Sequence, residues 1–464
     1  MIRGRFSQLP PQRTVATWGS GGAFVHALAA ELAFPGVDES QVVLDRNGSE
    51  RTHFLTLSAA ACGSSDESAD DGKVAITIFN SKTEIQEYLE EAAATYGEQN
   101  NVDIEVYYSN DTVAAHLSSK YAASDPYTIA MTDAKDIYNL ASEYCTDLSD
   151  QPWVSDTDYA ISVDGKIVGF PVCVEARGLL YNADAIEAVT GEPFDPSTIQ
   201  TLDDLTAMCD RLVAGGMEAP TAILKPDWSL GAHYIQQVYE EREDVDGFVN
   251  SLFEGTADLA NDAKYNAIMD TFDVLKKYNK FKDMAVSVED EQVHQALSEG
   301  EVAFQFGGSW EWNDIIDYDY TGNVGIMPLP QDIQDAYTGC IVGGGSKFFY
   351  IDSSEYTTDE QREAAKGFLN WIVDSDEGKT LISDTCGMVS PFKSNTVPCT
   401  NALGAMVKEY ADAGKMVPNY DFDPDDHLSV VGAHMQEYLA DKIDRTQLAT
   451  DIEEYWKNAT PIAH

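Results

Sequence analysis

The period of apolar and polar positions changes repeatedly along this chain. Lys73-Val-Ala-Ile-Thr-Ile-Phe79 alternates apolar and β-branched side chains with polar ones and predicts a strand. Ile85, Leu89, Ala92 and Tyr96 then share one face of a predicted helix, which Gly97 is expected to stop. Ser81 and Glu84 stand at capping-box spacing at its start. A second strand is predicted over 102–108. A strand–helix–strand unit implies parallel pairing, and ligands of such sheets lie outside the carboxyl ends of the strands. Asn80, Ser81, Lys82 and Glu84 occupy that place after the first strand and are candidate ligand contacts, even if Ser81 and Glu84 also cap the helix.

The same reading continues downstream. A helix is predicted over 112–123, then a short apolar strand ending at Asp133, a candidate acceptor for ligand hydroxyls. Asp164-Gly165 is a hairpin turn into a strand, and a second strand is expected to follow it and lead out to Tyr181-Asn182, with Glu175 in this stretch. Thr201 is placed to cap a helix whose inward face is Leu202, Leu205, Met208 and Leu212 and whose end is Gly215-Gly216. Trp228 follows a Pro226-Asp227 turn ahead of a helix, a position suited to stacking on a flat ligand face, whereas His233 is read as structural. Helices are expected over about 245–282 and 289–299.

After Gly300 comes a short buried strand, 302–306, and then Gly307-Gly308-Ser309-Trp310-Glu311-Trp312. The glycines permit unusual backbone angles or the close approach of another group. A strand-to-helix junction there offers free N–H groups, a hydroxyl and aromatic faces together, so Gly308, Ser309 and Trp310 are candidates. The remainder predicts an amphipathic helix over 357–374 and a closing helix pair over 430–456.

Composition narrows the class. The chain has 464 residues, enough for a two-lobed protein or for two or three domains, and a formal net charge of −50. That charge excludes partners bound through phosphate backbones, so no nucleic acid is expected, and it argues against docking on anionic lipid. No stretch reaches the ~20 apolar residues of a membrane span. H-E-x-x-H, G-x-S-x-G and P-loop spacings are absent, although paired glycosidase carboxylates would be hidden among the many acids. No enzyme activity and no cofactor are therefore expected. Asp421-Phe-Asp-Pro-Asp-Asp-His427 lacks the glycine and the glutamate of a calcium loop. It is read as a polar loop without metal that is either solvated or lends Asp426 and His427 to a ligand. Of the seven cysteines none forms a CxxC pair, and six of them, Cys62 aside, allow fifteen disulfide pairings, with Cys386–Cys399 and Cys145–Cys173 closing the shorter loops. The other reading is six buried thiols.

Residues 1–56 show no strong period. The run Phe54-Leu-Thr-Leu-Ser-Ala-Ala-Ala-Cys62, followed by Gly-Ser-Ser-Asp-Glu-Ser, resembles the end of a bacterial lipoprotein signal, with Cys62 as the acylated residue. A charged n-region is missing, and a wrong start or a frameshift upstream is expected to account for it.

Several of these segments, in order, resemble the extracellular solute-binding proteins of ABC transporters, carbohydrate-binding family 1. Asp164-Gly-Lys-Ile-Val-Gly-Phe-Pro…Gly178-Leu-Leu-Tyr-Asn182 is similar to the family's "dGkiyGlP…gllYN" segment. Ala296 to Trp312 is similar to "G-x-A-A-M…G-x-W", 323–330 to "v-a-p-l-P", and Ala364 to Trp371 to "A-x-x-F-l-x-w". The resemblance covers about 62–460. It implies an α/β, two-lobed periplasmic-binding-protein-like fold with a hinge and an interlobe cleft. The expected partition is a non-globular segment 1–72, an N-terminal lobe of 73–182 plus about 308–345, and a C-terminal lobe of 183–307 plus about 346–464. It further implies a monomer on the outer face of the cell membrane that carries a sugar or oligosaccharide to permease subunits. A polyamine or peptide ligand is the alternative, and a surface glycoside hydrolase the more distant one.

Overall fold

The computed structural model describes residues 72–109, 112–424 and 426–461; Cys62 and the expected lipoprotein segment lie outside the described residues. The strands in chain order are β1 (Val74–Phe79), β2 (Val102–Tyr107), β3 (Ile129–Thr132), β4 (Ile161–Val163), β5 (Lys166–Asn182), β6 (Thr221–Ala222), β7 (Phe304–Gly308), β8 (Val324–Met327), β9 (Ile341–Ile351) and β10 (Met416–Val417). They form one sheet of order β2-β1-β3-β9-β5-β7-β6, with β4 and β8 also on β5 and β10 on β9. β1 pairs in parallel with β2 and β3, as the first strand–helix–strand unit implies. β9 and β5 are antiparallel to each other and join the two halves of the sheet.

The apolar side chains sort into clusters at either end of β5 and β9. Ile76, Ile78, Phe170 and Phe349 pack with Leu89, Tyr96, Phe368 and Ile372 at one end. Leu179, Phe304 and Phe306 pack with Leu205, Tyr234, Phe272, Met435 and Trp456 at the other. Val174, Ala176 and Ile341 belong to a third cluster beside the crossing. The register of β5 on β9 slips at Cys173, just where β5 passes from one core to the next. The crossing therefore lies upstream of Tyr181-Asn182, which already pack in or beside the far core. The helix Asp359–Asp374 lies with β1 rather than with 183–307, because Ala365, Phe368 and Ile372 fill the same core as Ile76 and Leu89.

Local chemistry explains the element ends. Thr201 caps its helix through a complete capping box with Asp204, and Asp444 caps Arg445–Asn458 by accepting from Gln447 N. The helix Gln86–Asn100 does not stop at Gly97 but runs on to Asn101, whose φ is 57°. Gly97 serves close packing instead, since a Cβ there would lie 2.6 Å from Val102 O. Nor does Ser81 cap that helix: no side-chain cap is made, and Asn80 orders the loop by accepting from Lys82 N at 2.9 Å. The six described cysteines are free, which corrects the disulfide expectation. Cys145, Cys173, Cys209 and Cys386 are buried as thiols, and Cys399 Sγ lies 3.3 Å from Gly387 O. Among the described residues no helix is long and apolar enough to cross a membrane.

Candidate ligand-binding cleft

A cleft of about 440 Å3 lies over the crossing strands, within the ~300–1,000 Å3 range usual for small-ligand sites. Its floor is Glu175 and Arg177 of β5 with Ser346 and Lys347 of β9. One wall comes from the carboxyl ends of β1 and β3, through Ser81, Lys82 and Glu84 and through Asp133 and Lys135. The opposite wall is aromatic: Trp228 and His233 on the helical segment after β6, Trp310 on the turn after β7, and Tyr420 on the loop after β10. Asp421 and Asp423 on that loop close one side.

The polar wall is pre-organised by ion pairs. Lys82 Nζ is 2.7 Å from Glu84 Oε1 and 3.0 Å from Glu175 Oε1. Ser346 donates to Glu175 Oε2. Burial opposes the charge on both partners, yet the attraction wins: the Lys82 ammonium is raised and the Glu175 carboxyl lowered, so both stay ionised. Lys347 Nζ holds Asp133 at 2.6 Å. Arg177 is fixed three ways, to Glu240 in a buried ion pair, to Asn419 Oδ1 at 2.8 Å and to His233 O at 3.0 Å. Asp421 carries the opposite shift. Burial first, then repulsion from Asp423, Glu240 and Asp133, raises it to about 7.

His233 lies between the tryptophans, its ring 4.6 Å from Trp310 and 5.7 Å from Trp228. Its Nδ1 and the Ser81 Oγ are buried without a hydrogen-bond partner. Such atoms are costly to leave unpaired unless something else satisfies them.

Seven of the sequence candidates therefore meet in this cleft: Ser81, Lys82, Glu84, Asp133, Glu175, Trp228 and Trp310. Three others support it from behind. Asn80 is fully buried and shapes the Ser81-Lys82 loop. Gly308 makes room for Trp310, because a Cβ on it would lie 2.3 Å from the indole ring. Ser309 Oγ accepts from Ala176 N at 3.4 Å and so ties the Trp310 turn to β5. Asp426 and His427 are not in the lining. Asp426 is exposed and accepts from Tyr455 OH at 2.8 Å. His427 is fully buried against Tyr239 and Trp456 because it begins a helix whose inward face fills the core. The acidic loop thus splits, Asp421 and Asp423 towards the cleft and Asp426 away from it. His233, read as structural, lines the cleft, as do Arg177, Asp421 and Asp423, which the sequence reading did not single out as contacts. For Arg177 a signal was present: it stands two residues after Glu175 in a strand, hence on the same face.

A family model described as bacterial extracellular solute-binding protein matches residues 91–414. The melibiose/raffinose/stachyose-binding protein MelE of Bacillus subtilis (strain 168) is 22% identical over 419 residues, covering 84% of this chain and 90% of that protein. RafE in complex with raffinose superposes with a TM-score of 0.70 at 18% identity, covering 83% of this chain and 99% of RafE. A sugar transporter protein from Bacillus licheniformis in complex with stachyose gives 0.62 at 19% identity, covering 83% of this chain and all of that one. The chain belongs to the bacterial extracellular solute-binding proteins, with their two-lobed α/β fold.

Proposed function

We propose that this protein captures a neutral oligosaccharide outside the cell and delivers it to the membrane permease of an ABC importer. The observation that carries the ligand class is the charge of the cleft. The whole chain bears a formal net charge of −50, yet the cleft sets five carboxylates (Glu84, Asp133, Glu175, Asp421, Asp423) against four cations (Lys82, Lys135, Arg177, Lys347). Near parity in so acidic a protein suits an uncharged ligand. It speaks against a polyamine, which would call for an uncompensated acidic pocket. Paired charges are strong partners for hydroxyls, and the two tryptophans offer flat faces for the C–H patches of a pyranose. The sugars printed in the names of the relatives support the same class.

In this reading Ser81, Lys82, Glu84, Asp133, Glu175, Trp228, Trp310, His233, Arg177 and Asp421 contact the sugar, while Asn80, Gly308 and Ser309 position those that do. The lobes divide along the cores, so that 348–392 belongs with 73–173, and they close over the ligand by bending β5 and β9. The protein works as a monomer held to the outer face of the cell membrane through Cys62, and it does not hydrolyse what it binds.

A thermal-shift screen tests this with mono- and oligosaccharides against spermidine and tripeptides. A ligand at a hundred times its Kd adds about 2.7 kcal/mol. A shift with saccharides alone is expected; a shift with spermidine or peptide alone would discard the ligand class. Reducing-end assays on the bound oligosaccharide should show no product. Metabolic labelling with a fatty acid should mark the wild-type chain and not Cys62→Ser.

A further inference from the structure

A second chamber of about 370 Å3 adjoins the cleft at Gly345, Asn419 and Asp421, which line both. Its floor is Gly343-Gly344-Gly345 of β9, and Tyr138 and Tyr159 stand in its walls. Tyr138, on the helix Ala134–Tyr144, also packs against Phe422, the ring centroids 4.6 Å apart and the planes tilted by 51°.

The glycines of this floor are not equivalent. A Cβ on Gly343 would lie 2.4 Å from Glu175 O, and one on Gly345 would lie 2.7 Å from the Phe348 ring, so packing requires both. Gly344 is under no such demand. Its φ is outside the left-handed region, and the nearest atom to an added Cβ is Asn419 Nδ2 at an ordinary 3.5 Å. Alanine would fit, and a glycine inside a strand is less favourable than alanine. Gly344 pairs directly with Glu175, and opposite residues of an antiparallel pair project from the same face. A side chain at 344 would thus project on the face from which Glu175 meets the cleft. Asn419 has its Oδ1 held by Arg177 at 2.8 Å, which leaves its amide N–H groups over the bare backbone of Gly344.

The geometry points to a further saccharide subsite. The second chamber receives an additional glycosyl unit. Gly344 is left bare to admit it, Asn419 donates to one of its hydroxyls, and Tyr138 and Tyr159 offer ring surface. The protein accordingly selects saccharides longer than a disaccharide. This rests on the saccharide reading of the main cleft and adds the length of the ligand to it.

Titration calorimetry on the full chain tests the subsite with two homologous series, sucrose–raffinose–stachyose and maltose–maltotriose–maltotetraose. In the series that binds, affinity is expected to rise at least tenfold when the unit that enters the chamber is added. Gly344→Phe should remove that gain while leaving the shorter sugar within about threefold of wild type. Tyr159→Ala, which only removes atoms, should lower the gain without Gly344→Phe's risk to folding, and the ligand-free melting curve of each variant reports on the fold. Equal affinity for short and long sugars would overturn the subsite and leave the saccharide reading intact. Equal weakening of all lengths by Gly344→Phe would also overturn it, since that is the signature of a glycine needed for bending of β9. No binding in either series would overturn both readings.

Discussion

Trp310 and Trp228 flank His233 on the aromatic wall, half-buried and lining the cleft. An aromatic anchor at the centre of a binding site contributes about 2 kcal/mol or more. Trp310→Ala and Trp228→Ala should each weaken sugar binding at least tenfold in titration calorimetry, and unchanged affinity in both would dismiss the aromatic wall. Both residues were legible from the sequence because each sits at a loop-to-helix junction, where a large ring has reason to be exposed. His233 was not, since one residue in an apolar helical segment carries no mark of the face it will share. His427 misled for the opposite reason: its acidic neighbours suggested a solvated loop, but the chain turns at Pro424 and drives the imidazole into the core. Burial, followed by the charge of Lys135, depresses that imidazole to about 3, which keeps it neutral.

At the scale of elements, much of what builds the site was written in the order of strands and helices. The end of β1, the Glu175 strand and the Trp310 turn were each placed correctly along the chain. Where along β5 and β9 the crossing falls could not be read, because each carries apolar residues on both sides of a polar or glycine-rich middle and the two ends look alike until their partners are known. Two substitutions probe these elements. Gly308→Ala would set a methyl against the Trp310 ring, 2.3 Å from its nearest atom. The half-exposed indole can swing away, so the expected result is a loss of affinity of about tenfold, or ~1.4 kcal/mol, with a small change in stability; an unaltered affinity would count against Trp310 as a contact. On β5, the Arg177 and Glu240 side chains are 4% and 0% exposed. Removing one partner of a buried pair strands the other charge and costs about 3–5 kcal/mol. Arg177→Met should lose that much in urea unfolding, and Arg177→Met with Glu240→Gln should recover more than half. If the double variant is no more stable than the single one, the ion pair is not what holds β5 to the helix Gln237–Glu240.

The molecule as a whole has a charge problem that its cleft makes local. Acidic repulsion spread over the surface is screened by salt, but Asp421, Asp423 and Asp136 are withdrawn from water. Burial is the leading cause of each shift; Asp421 is raised to about 7, Asp423 and Asp136 to about 6. Unfolded, all three return to near 3.8. Between pH about 8.5 and 6.5 the folded state therefore binds protons that the unfolded state does not, and stability must rise as pH falls. His233 and His427 act the other way. Burial depresses both in the fold, so below about 6.5 only the unfolded chain protonates them, and stability is lost on further acidification. The ligand-free protein's melting midpoint should accordingly climb as pH falls from about 8.5 to 6.5 and climb less steeply below that, where protonation of the two histidines in the unfolded chain offsets most of what the three aspartates gain. General relief of surface repulsion would also raise stability on mild acidification, so the assignment to Asp421 needs its own variant. Asp421→Asn should flatten the limb between pH 6.5 and 8.5 and raise the midpoint most at pH 8.5, where the native carboxylate is fully charged in a site that disfavours it. A limb as steep in Asp421→Asn as in the wild type would assign the slope to the surface. A midpoint that instead climbs steadily to pH 8.5 would overturn the raised aspartates, because the buried histidines act only below about pH 6.5.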